Sequence, residues 1–183
     1  LGGGFFEPIL SMLPEEDVLG QIAMMNDFTR KHFGVEPAGL WMTERVWEPH
    51  FVRFLAKSGL KYTGLDDFHF RAAGVRDEEL TGYFLTEDQG EIFRLFPGRE
   101  ELRYSIPFKD PQETLNILRR YATESGDRVL VYADDGEKFG SWPRTYKHVY
   151  EDGWLENFLR ALEGAPDIHT TTFSEMLSRT GPS

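Results

Sequence analysis

The sequence of 183 residues contains no cysteine, which excludes disulfides, thiolate metal sites and cysteine nucleophiles together. It also lacks any apolar run near the ~20 residues that a membrane-spanning helix needs, so no membrane partner is expected. Basic residues are scarce, because 20 Lys and Arg stand against 31 Asp and Glu and the net charge is −11. Such a surface repels phosphate backbones. We therefore expect no nucleic-acid partner and favour neutral or cationic small substrates.

The chain begins Leu1-Gly2-Gly3-Gly4, with neither an initiator methionine nor a secretion signal. We therefore expect an internal start, and a cytoplasmic location because no targeting signal is visible. Hydrophobic residues make up 40% and aromatic residues 14% of the sequence. This composition excludes a disordered chain and predicts one domain over 1–183.

Helical and strand patterns alternate along the chain, which is typical of a parallel α/β fold. Helices are predicted over 14–33, 49–58 and 110–125, from Trp154 onward, and in a short segment from Phe173. Strands are predicted over 38–42, 61–65, 128–133 and 168–172, and a hairpin joins 82–86 to 91–96. The continuously apolar segment 128–133 is predicted to be buried on both faces. About five parallel strands are too few for a closed barrel of ~250 residues, which leaves an open sheet or an incomplete barrel.

Two segments that follow predicted strands are rich in carboxylates and tryptophan. In the first segment Glu44 comes directly after a strand, Arg45 follows it, and Trp41 and Trp47 flank the pair. A guanidinium beside a carboxylate favours the ionised form that a carboxylate nucleophile needs. From spacing alone, an ion pair that anchors a loop is the more frequent explanation.

The second segment carries Asp134, Asp135 and Glu137 after the apolar strand, and Trp142 lies a little further on. Crowded carboxylates favour retention of a proton on one of them, which a general acid requires at neutral pH. The alternative is a metal-binding or helix-capping acidic loop, although the alternating spacing of calcium ligands is missing. One ionised and one protonated carboxylate among tryptophans would suit glycoside hydrolysis.

Glu7 follows a glycine-rich start and lies among aromatic residues before a proline. No phosphate-binding fingerprint follows a strand there, and Glu7 is equally compatible with a sugar contact and with an ordinary loop. The five histidines show no zinc-binding spacing, so no metal is expected. His69 follows a strand beside two acids, and a structural role is favoured for it.

Three ordered motifs resemble successive signature regions of glycoside hydrolase family 57, above all its 4-α-glucanotransferase and α-amylase members. They are Gly-Gly-Phe-Phe-Glu-Pro-Ile-Leu at 3–10, Trp-Met-Thr-Glu-Arg-Val-Trp-Glu-Pro at 41–49, and Asp-Asp-Gly-Glu-Lys-Phe-Gly-Ser-Trp-Pro at 134–143. The resemblance implies an incomplete (β/α)7-type barrel. The family's N-terminal His-Gln-Pro motif and its fifth signature are absent, so we expect the barrel to lack its N-terminal strand or strands.

The resemblance implies a retaining glycoside hydrolase or transglycosylase that acts on α-1,4-glucans such as maltooligosaccharides and needs no cofactor. It implies that Glu44 is the nucleophile and Asp135 the general acid/base, with Asp134 as second choice. Candidate substrate contacts are Glu7, Trp41, Arg45, Trp47, Glu137 and Trp142. Retention predicts carboxyl groups ~5–5.5 Å apart.

Other functions remain open at this point. A carbohydrate-binding domain without turnover would keep the tryptophans, and a metal-dependent deacetylase on a similar partial barrel would need paired histidines that this sequence lacks. A barrel without part of its wall would hold sugar loosely, so the activity of this chain is left open. Its exposed sheet edge would favour pairing with another chain, which leaves an oligomer open as well.

Overall fold

The computed structural model describes residues 1–183 as a mixed α/β chain. Its helices and strands are, in chain order, α1 (Glu15–Phe33), β1 (Gly39–Leu40), α2 (Phe51–Lys57), β2 (Tyr62–Asp66), α3 (Asp67–Ala72), β3 (Phe84–Asp88), β4 (Glu91–Gly98), α4 (Glu100–Ser105), α5 (Pro111–Arg119), α6 (Trp154–Glu163) and α7 (Phe173–Arg179). The chain divides into two compact units, residues 1–97 with 180–183, and residues 98–179. The expectation of a single domain over 1–183 stays a prediction.

The first unit is built on a four-stranded sheet in the order β1-β2-β4-β3. Strands β1 and β2 are parallel, with Gly39 opposite Tyr62. Strands β3 and β4 are antiparallel, with Phe84 opposite Leu95, which confirms the predicted hairpin. A mixed α/β fold is therefore present, whereas the incomplete barrel stays a prediction.

Helix α1 confirms the helix predicted over 14–33. Acidic residues fill its first turn and basic residues its last, as the helix dipole favours, and Gly34 ends it with φ of 69°. Its inner face buries Val18 and Ile22. These side chains join the hydrophobic core of the first unit, in which Phe51 and Leu55 of α2 are also fully buried.

Helices α5 and α6 pack together in the second unit. Asp110 caps α5 by accepting a hydrogen bond from the Gln112 backbone N–H at 2.8 Å, but the helix ends at Arg119, short of the predicted 125. Helix α6 begins at Trp154, which is buried, and its indole Nε1 donates to the Lys109 carbonyl at 2.6 Å.

The strand predicted over 128–133 is wrong. Its pairing is a single parallel bridge between Val131 and Gly98, and Val131 alone in this segment is fully buried. An apolar run reports a tendency toward burial, but a strand also needs a hydrogen-bonded neighbour along its length.

The strand predicted over 168–172 is also wrong, because local hydrogen bonds there begin a helix instead. The Glu175 carboxylate accepts from the Thr172 N–H at 2.9 Å, and the Thr172 hydroxyl accepts from the Glu175 N–H at 3.2 Å. This reciprocal pair is a capping box at the start of α7, in line with the short helix predicted there. None of the helices combines the length and apolarity needed to cross a membrane.

Candidate functional site

Glu44 lies on a tight turn that begins three residues after the end of β1. The turn is a 3-10 helix over Thr43–Arg45, in which the Arg45 N–H donates to the Met42 carbonyl at 2.8 Å. Glu44 is exposed, and both Glu44 and Arg45 have φ of 54°. This left-handed conformation costs a non-glycine residue about 1–2 kcal/mol, so the surrounding structure must hold the turn in place.

Two residues contact this turn, Asp66 at the end of β2 and His69 in α3. Asp66 forms an ion pair with Arg45 Nε at 3.2 Å, and the Arg45 side chain is only 11% exposed. His69 Nε2 lies 3.1 Å from the carbonyl oxygen of Arg45. The carboxylate that the structure shows beside Arg45 thus belongs to Asp66, a residue that the sequence analysis did not pair with it.

Trp41 and Trp47 differ in their surroundings. The Arg45 guanidinium lies 5.5 Å from the Trp41 ring centroid, which is cation–π geometry. Trp47 is partly buried and packs against the hydrophobic core, with its ring 6.4 Å from that of Phe51. Trp41 and Trp47 stay predicted substrate contacts, as does Arg45.

Glu7 lies on another turn of the first unit. Its N–H donates to the Gly4 carbonyl at 3.0 Å, its φ is 54°, and it is exposed. Gly4 is required for packing, because a Cβ there would lie 2.8 Å from Pro8 Cδ. The Gly2 N–H donates to the Gly39 carbonyl at 2.7 Å, which places the start of the chain beside β1.

Asp134 and Asp135 precede a 3-10 turn over Gly136–Phe139 in the second unit. The Asp134 side chain is 1% exposed and lies between two cations, Arg103 Nε at 3.3 Å from Oδ1 and Lys138 Nζ in contact with Oδ2. The same Oδ1 accepts a hydrogen bond from the Asp135 N–H at 2.9 Å. The Asp134 carboxylate therefore fixes the backbone of Asp135.

Lys138 is buried and connects this loop with α4 and the segment that follows α4. Besides contacting Asp134, Nζ donates to the Arg103 carbonyl at 2.8 Å. Nζ also lies 5.5 Å and 5.7 Å from the ring centroids of Phe108 and Trp142. A buried ammonium needs such partners, because an unpaired buried charge is very unfavourable.

Asp135, Glu137 and Trp142 reach the surface to different extents. Asp135 is partly buried, Glu137 is exposed, and Trp142 is 42% exposed. The Glu137 carbonyl accepts the N–H groups of Ser141 at 2.9 Å and Trp142 at 3.0 Å, which closes the loop. The Trp142 ring lies nearly parallel to that of Phe108 at 6.3 Å. Glu137 and Trp142 stay predicted substrate contacts.

Sequence reasoning missed Asp66, Arg103 and Lys138 and gave His69 only a structural role. The spacing of Asp134 and Lys138 carried some signal, since charges four residues apart often pair on a helical turn. Arg103 lies far from Asp134 in the sequence, and no local pattern connects them. No group of three or more His, Asp or Glu residues is arranged to hold a metal ion.

The sequence profile of Glycosyl hydrolase family 57 matches residues 1–183, the whole of this chain. The chain belongs to glycosyl hydrolase family 57. The 4-alpha-glucanotransferase of Thermococcus litoralis is 45% identical over 179 residues, which cover 98% of this chain and 27% of that protein. An alpha-amylase of Pyrococcus horikoshii is 47% identical over 179 residues, covering 98% of this chain and 28% of that relative.

A comparison with a solved structure agrees with these sequence matches. The crystal structure of 4-alpha-glucanotransferase from Thermococcus litoralis superposes with a TM-score of 0.95 at 45% identity, covering 98% of this chain and 28% of that chain. The residues described here therefore span little more than a quarter of the length of these family 57 relatives.

Proposed function

We propose that this chain forms part of the catalytic barrel of a retaining family 57 enzyme that cleaves or transfers α-1,4-glucans. The observation that carries this proposal is the family match over residues 1–183, which includes all three motifs. Relatives named 4-alpha-glucanotransferase and alpha-amylase support a substrate of this class. An incomplete (β/α)7-type barrel is part of the same proposal.

The surroundings of the carboxylates support the assignment of roles. Asp134 is enclosed by Arg103 and Lys138, and its side chain is 1% exposed. Because both of its carboxylate oxygens are engaged by these contacts, its geometry suits a structural anchor rather than a group that reaches substrate. We therefore assign the general acid/base to Asp135, and the nucleophile to Glu44, which is exposed at the tip of its turn.

The proposed reaction proceeds in two displacements. Glu44 attacks the anomeric carbon while the bond from that carbon to the glycosidic oxygen breaks, and Asp135 protonates the departing oxygen. Asp135 then removes a proton from the acceptor, which displaces Glu44 from the anomeric carbon. Water as acceptor gives hydrolysis, and a sugar hydroxyl gives transfer. Retaining chemistry requires a carboxyl separation of about 5–5.5 Å, which stays a prediction for this pair.

Three amide variants test the roles on maltooligosaccharides, in this chain and in any longer natural chain that contains it. Asp135→Asn should lower turnover by about 10²–10⁴-fold, the usual contribution of a general acid. Glu44→Gln should abolish formation of the covalent glycosyl intermediate, detected by mass spectrometry of the trapped protein. Asp134→Asn should lower thermal stability as well as turnover, because it leaves Lys138 with a weaker partner.

Glu48→Gln is the matched control, since Glu48 is an exposed carboxylate of the same motif. Its turnover should equal that of the unaltered protein. Full activity in Glu44→Gln or Asp135→Asn would remove that residue from the mechanism. If this chain and the longer natural chain both bind glucan without turnover, a carbohydrate-binding domain is favoured. Among active proteins, products longer than the substrate indicate transfer, and shorter products indicate hydrolysis.

A further inference from the structure

The turn that carries Glu44 has a backbone conformation that its own residues disfavour. Glu44 and Arg45 both have φ of 54°, although neither is a glycine. A side chain on such a turn keeps one position only while contacts from other segments maintain the backbone. The contacts that hold this turn therefore decide where the Glu44 carboxylate lies.

Side-chain contacts to this turn come from the end of β2 and from α3. Asp66 binds the Arg45 guanidinium at 3.2 Å, and both side chains are largely buried. His69 Nε2 lies 3.1 Å from the Arg45 carbonyl, and its ring is in turn supported by Phe68 at a centroid distance of 4.0 Å. Asp66 therefore holds the side chain of Arg45, and His69 holds its backbone.

The direction of the His69 hydrogen bond follows from its partner. A carbonyl oxygen can only accept, so Nε2 of His69 carries the proton and donates it. The bond forms at the peptide group that joins Arg45 to Val46, and it opposes rotation of that peptide on the C-terminal side of Arg45. Relaxation of the turn toward negative φ would break it.

We infer that His69 and Asp66 are positioning residues that hold the Glu44 carboxylate in place for attack on the anomeric carbon. The inference rests on the proposed function, in which Glu44 is the nucleophile. Neither residue needs to touch the sugar, and neither has a part in the proton transfers. A displacement of ~1 Å at a nucleophile can lower turnover by about 10²-fold.

Two His69 variants test this inference by kinetics on maltooligosaccharides. His69→Leu replaces the imidazole with a side chain of similar size that has no hydrogen-bond donor. We expect kcat to fall by about 10²-fold while KM changes less than about threefold. His69→Gln keeps an N–H donor of comparable reach, and we expect kcat within about fivefold of the unaltered protein. His32→Leu, at an exposed histidine on α1, is the control and should leave both constants unchanged.

An α-maltosyl fluoride substrate separates the nucleophile from the general acid. The C1–F bond breaks with its electron pair leaving on fluoride while the bond from C1 to the Glu44 oxygen forms, so no proton donor is required. Asp135→Asn should therefore keep fluoride release in the first turnover, whereas His69→Leu should slow it by about 10²-fold. Fast fluoride release from His69→Leu would overturn the inference.

Crystal structures of the two His69 variants give a readout that does not depend on activity. In His69→Leu we expect Glu44 to leave the left-handed region or its carboxyl to move by about 1 Å or more, and in His69→Gln we expect no movement. An unmoved turn in His69→Leu would overturn the inference. If His69→Leu does not fold, Asp66→Asn takes its place, because it keeps the side-chain shape and loses the charge that pairs with Arg45.

These outcomes distinguish the two proposals. If the unaltered protein turns over no glucan or fluoride in either chain length, the proposed function fails, and the crystal structures still decide whether His69 holds the turn. If the unaltered protein is active and His69→Leu matches it, the proposed function stands and the positioning role is wrong.

Discussion

At the scale of single residues, Asp134 and Asp135 show how neighbours in sequence acquire different chemistry. Both are acids in one motif, and the sequence alone left Asp134 as an alternative proton donor. Arg103 and Lys138 enclose the Asp134 carboxylate, and its Oδ1 holds the Asp135 backbone. Residue type marked the candidate site, whereas three-dimensional contacts show that the two carboxylates have different surroundings.

Tyr132 carries a prediction at the same scale. Its hydroxyl is buried without a hydrogen-bond partner, and burial, reinforced by the Asp134 charge, raises the pKa of Tyr132 above its ordinary value of 10.0. As pH rises above about 10, the unfolded state loses this proton before the folded state does, so Tyr132 lowers stability there. Tyr132→Phe removes that loss, and its advantage in the free energy of unfolding should grow from pH ~10 upward.

At pH 7 we expect Tyr132→Phe to equal the unaltered protein or to exceed it by up to about 1 kcal/mol, since an unpaired buried hydroxyl is replaced by an apolar group of similar shape. Urea unfolding at pH 7 and at pH 10.5 or so measures both effects. Tyr104→Phe, at a well-exposed tyrosine, is the control for the substitution itself. If Tyr132→Phe differs from the unaltered protein in the free energy of unfolding by the same amount at both pH values, the raised pKa of Tyr132 is contradicted.

At the scale of elements, the long amphipathic helices and the hairpin were predictable because their signals are local. Helix α1 has acids at its start, bases at its end and a glycine after it, all within one segment. The strand predicted over 128–133 was wrong because a strand depends on a distant partner. The sequence shows that the segment is apolar, but not that Val131 has only one bridge partner.

The pairing of β1 with β2 gives a prediction for this element. A Cβ on Gly39 would lie 2.1 Å from Tyr62 Cε2, and Tyr62 is itself buried with its ring 5.6 Å from that of Phe96. Gly39→Ala should therefore lower the free energy of unfolding by about 1–3 kcal/mol, the usual cost of overpacking.

Gly64→Ala in β2 is the matched control for that substitution. Its new Cβ would lie 3.9 Å from the Phe96 carbonyl oxygen, which is ordinary contact. Because alanine restricts the unfolded chain, we expect no loss and up to about 1 kcal/mol of gain. Thermal unfolding of both variants by circular dichroism makes the comparison. Equal melting temperatures for the two variants would contradict the packing argument.

At the scale of the whole molecule, composition predicts what kind of partner to expect, but it does not predict how the chain is arranged in space. The net charge of −11 opposes polyanions and leaves neutral sugars unaffected. The division into two compact units, by contrast, has no counterpart in the composition or in any linker sequence. It results from which segments contact each other in space.

The net charge leads to a prediction about salt. Binding of a neutral maltooligosaccharide releases no counterions, so its Kd should change less than about twofold between 50 and 500 mM NaCl or thereabouts. Isothermal titration calorimetry measures this, and dextran sulfate at the lower salt concentration is the comparison ligand, for which no binding is expected. Maltooligosaccharide affinity that falls steeply with salt, or measurable binding of dextran sulfate, would contradict this prediction.

The sequence by itself determined the family, the local helices, the hairpin and the residue types of the candidate site, because these depend on motifs and short-range patterns. Tertiary structure alone decided that Asp66 and His69 hold the turn of Glu44 and that Arg103 and Lys138 enclose Asp134. Arg45 lies 21 and 24 positions from its two partners, and Asp134 lies 31 positions from Arg103. At such separations only the folded backbone fixes which side chains meet.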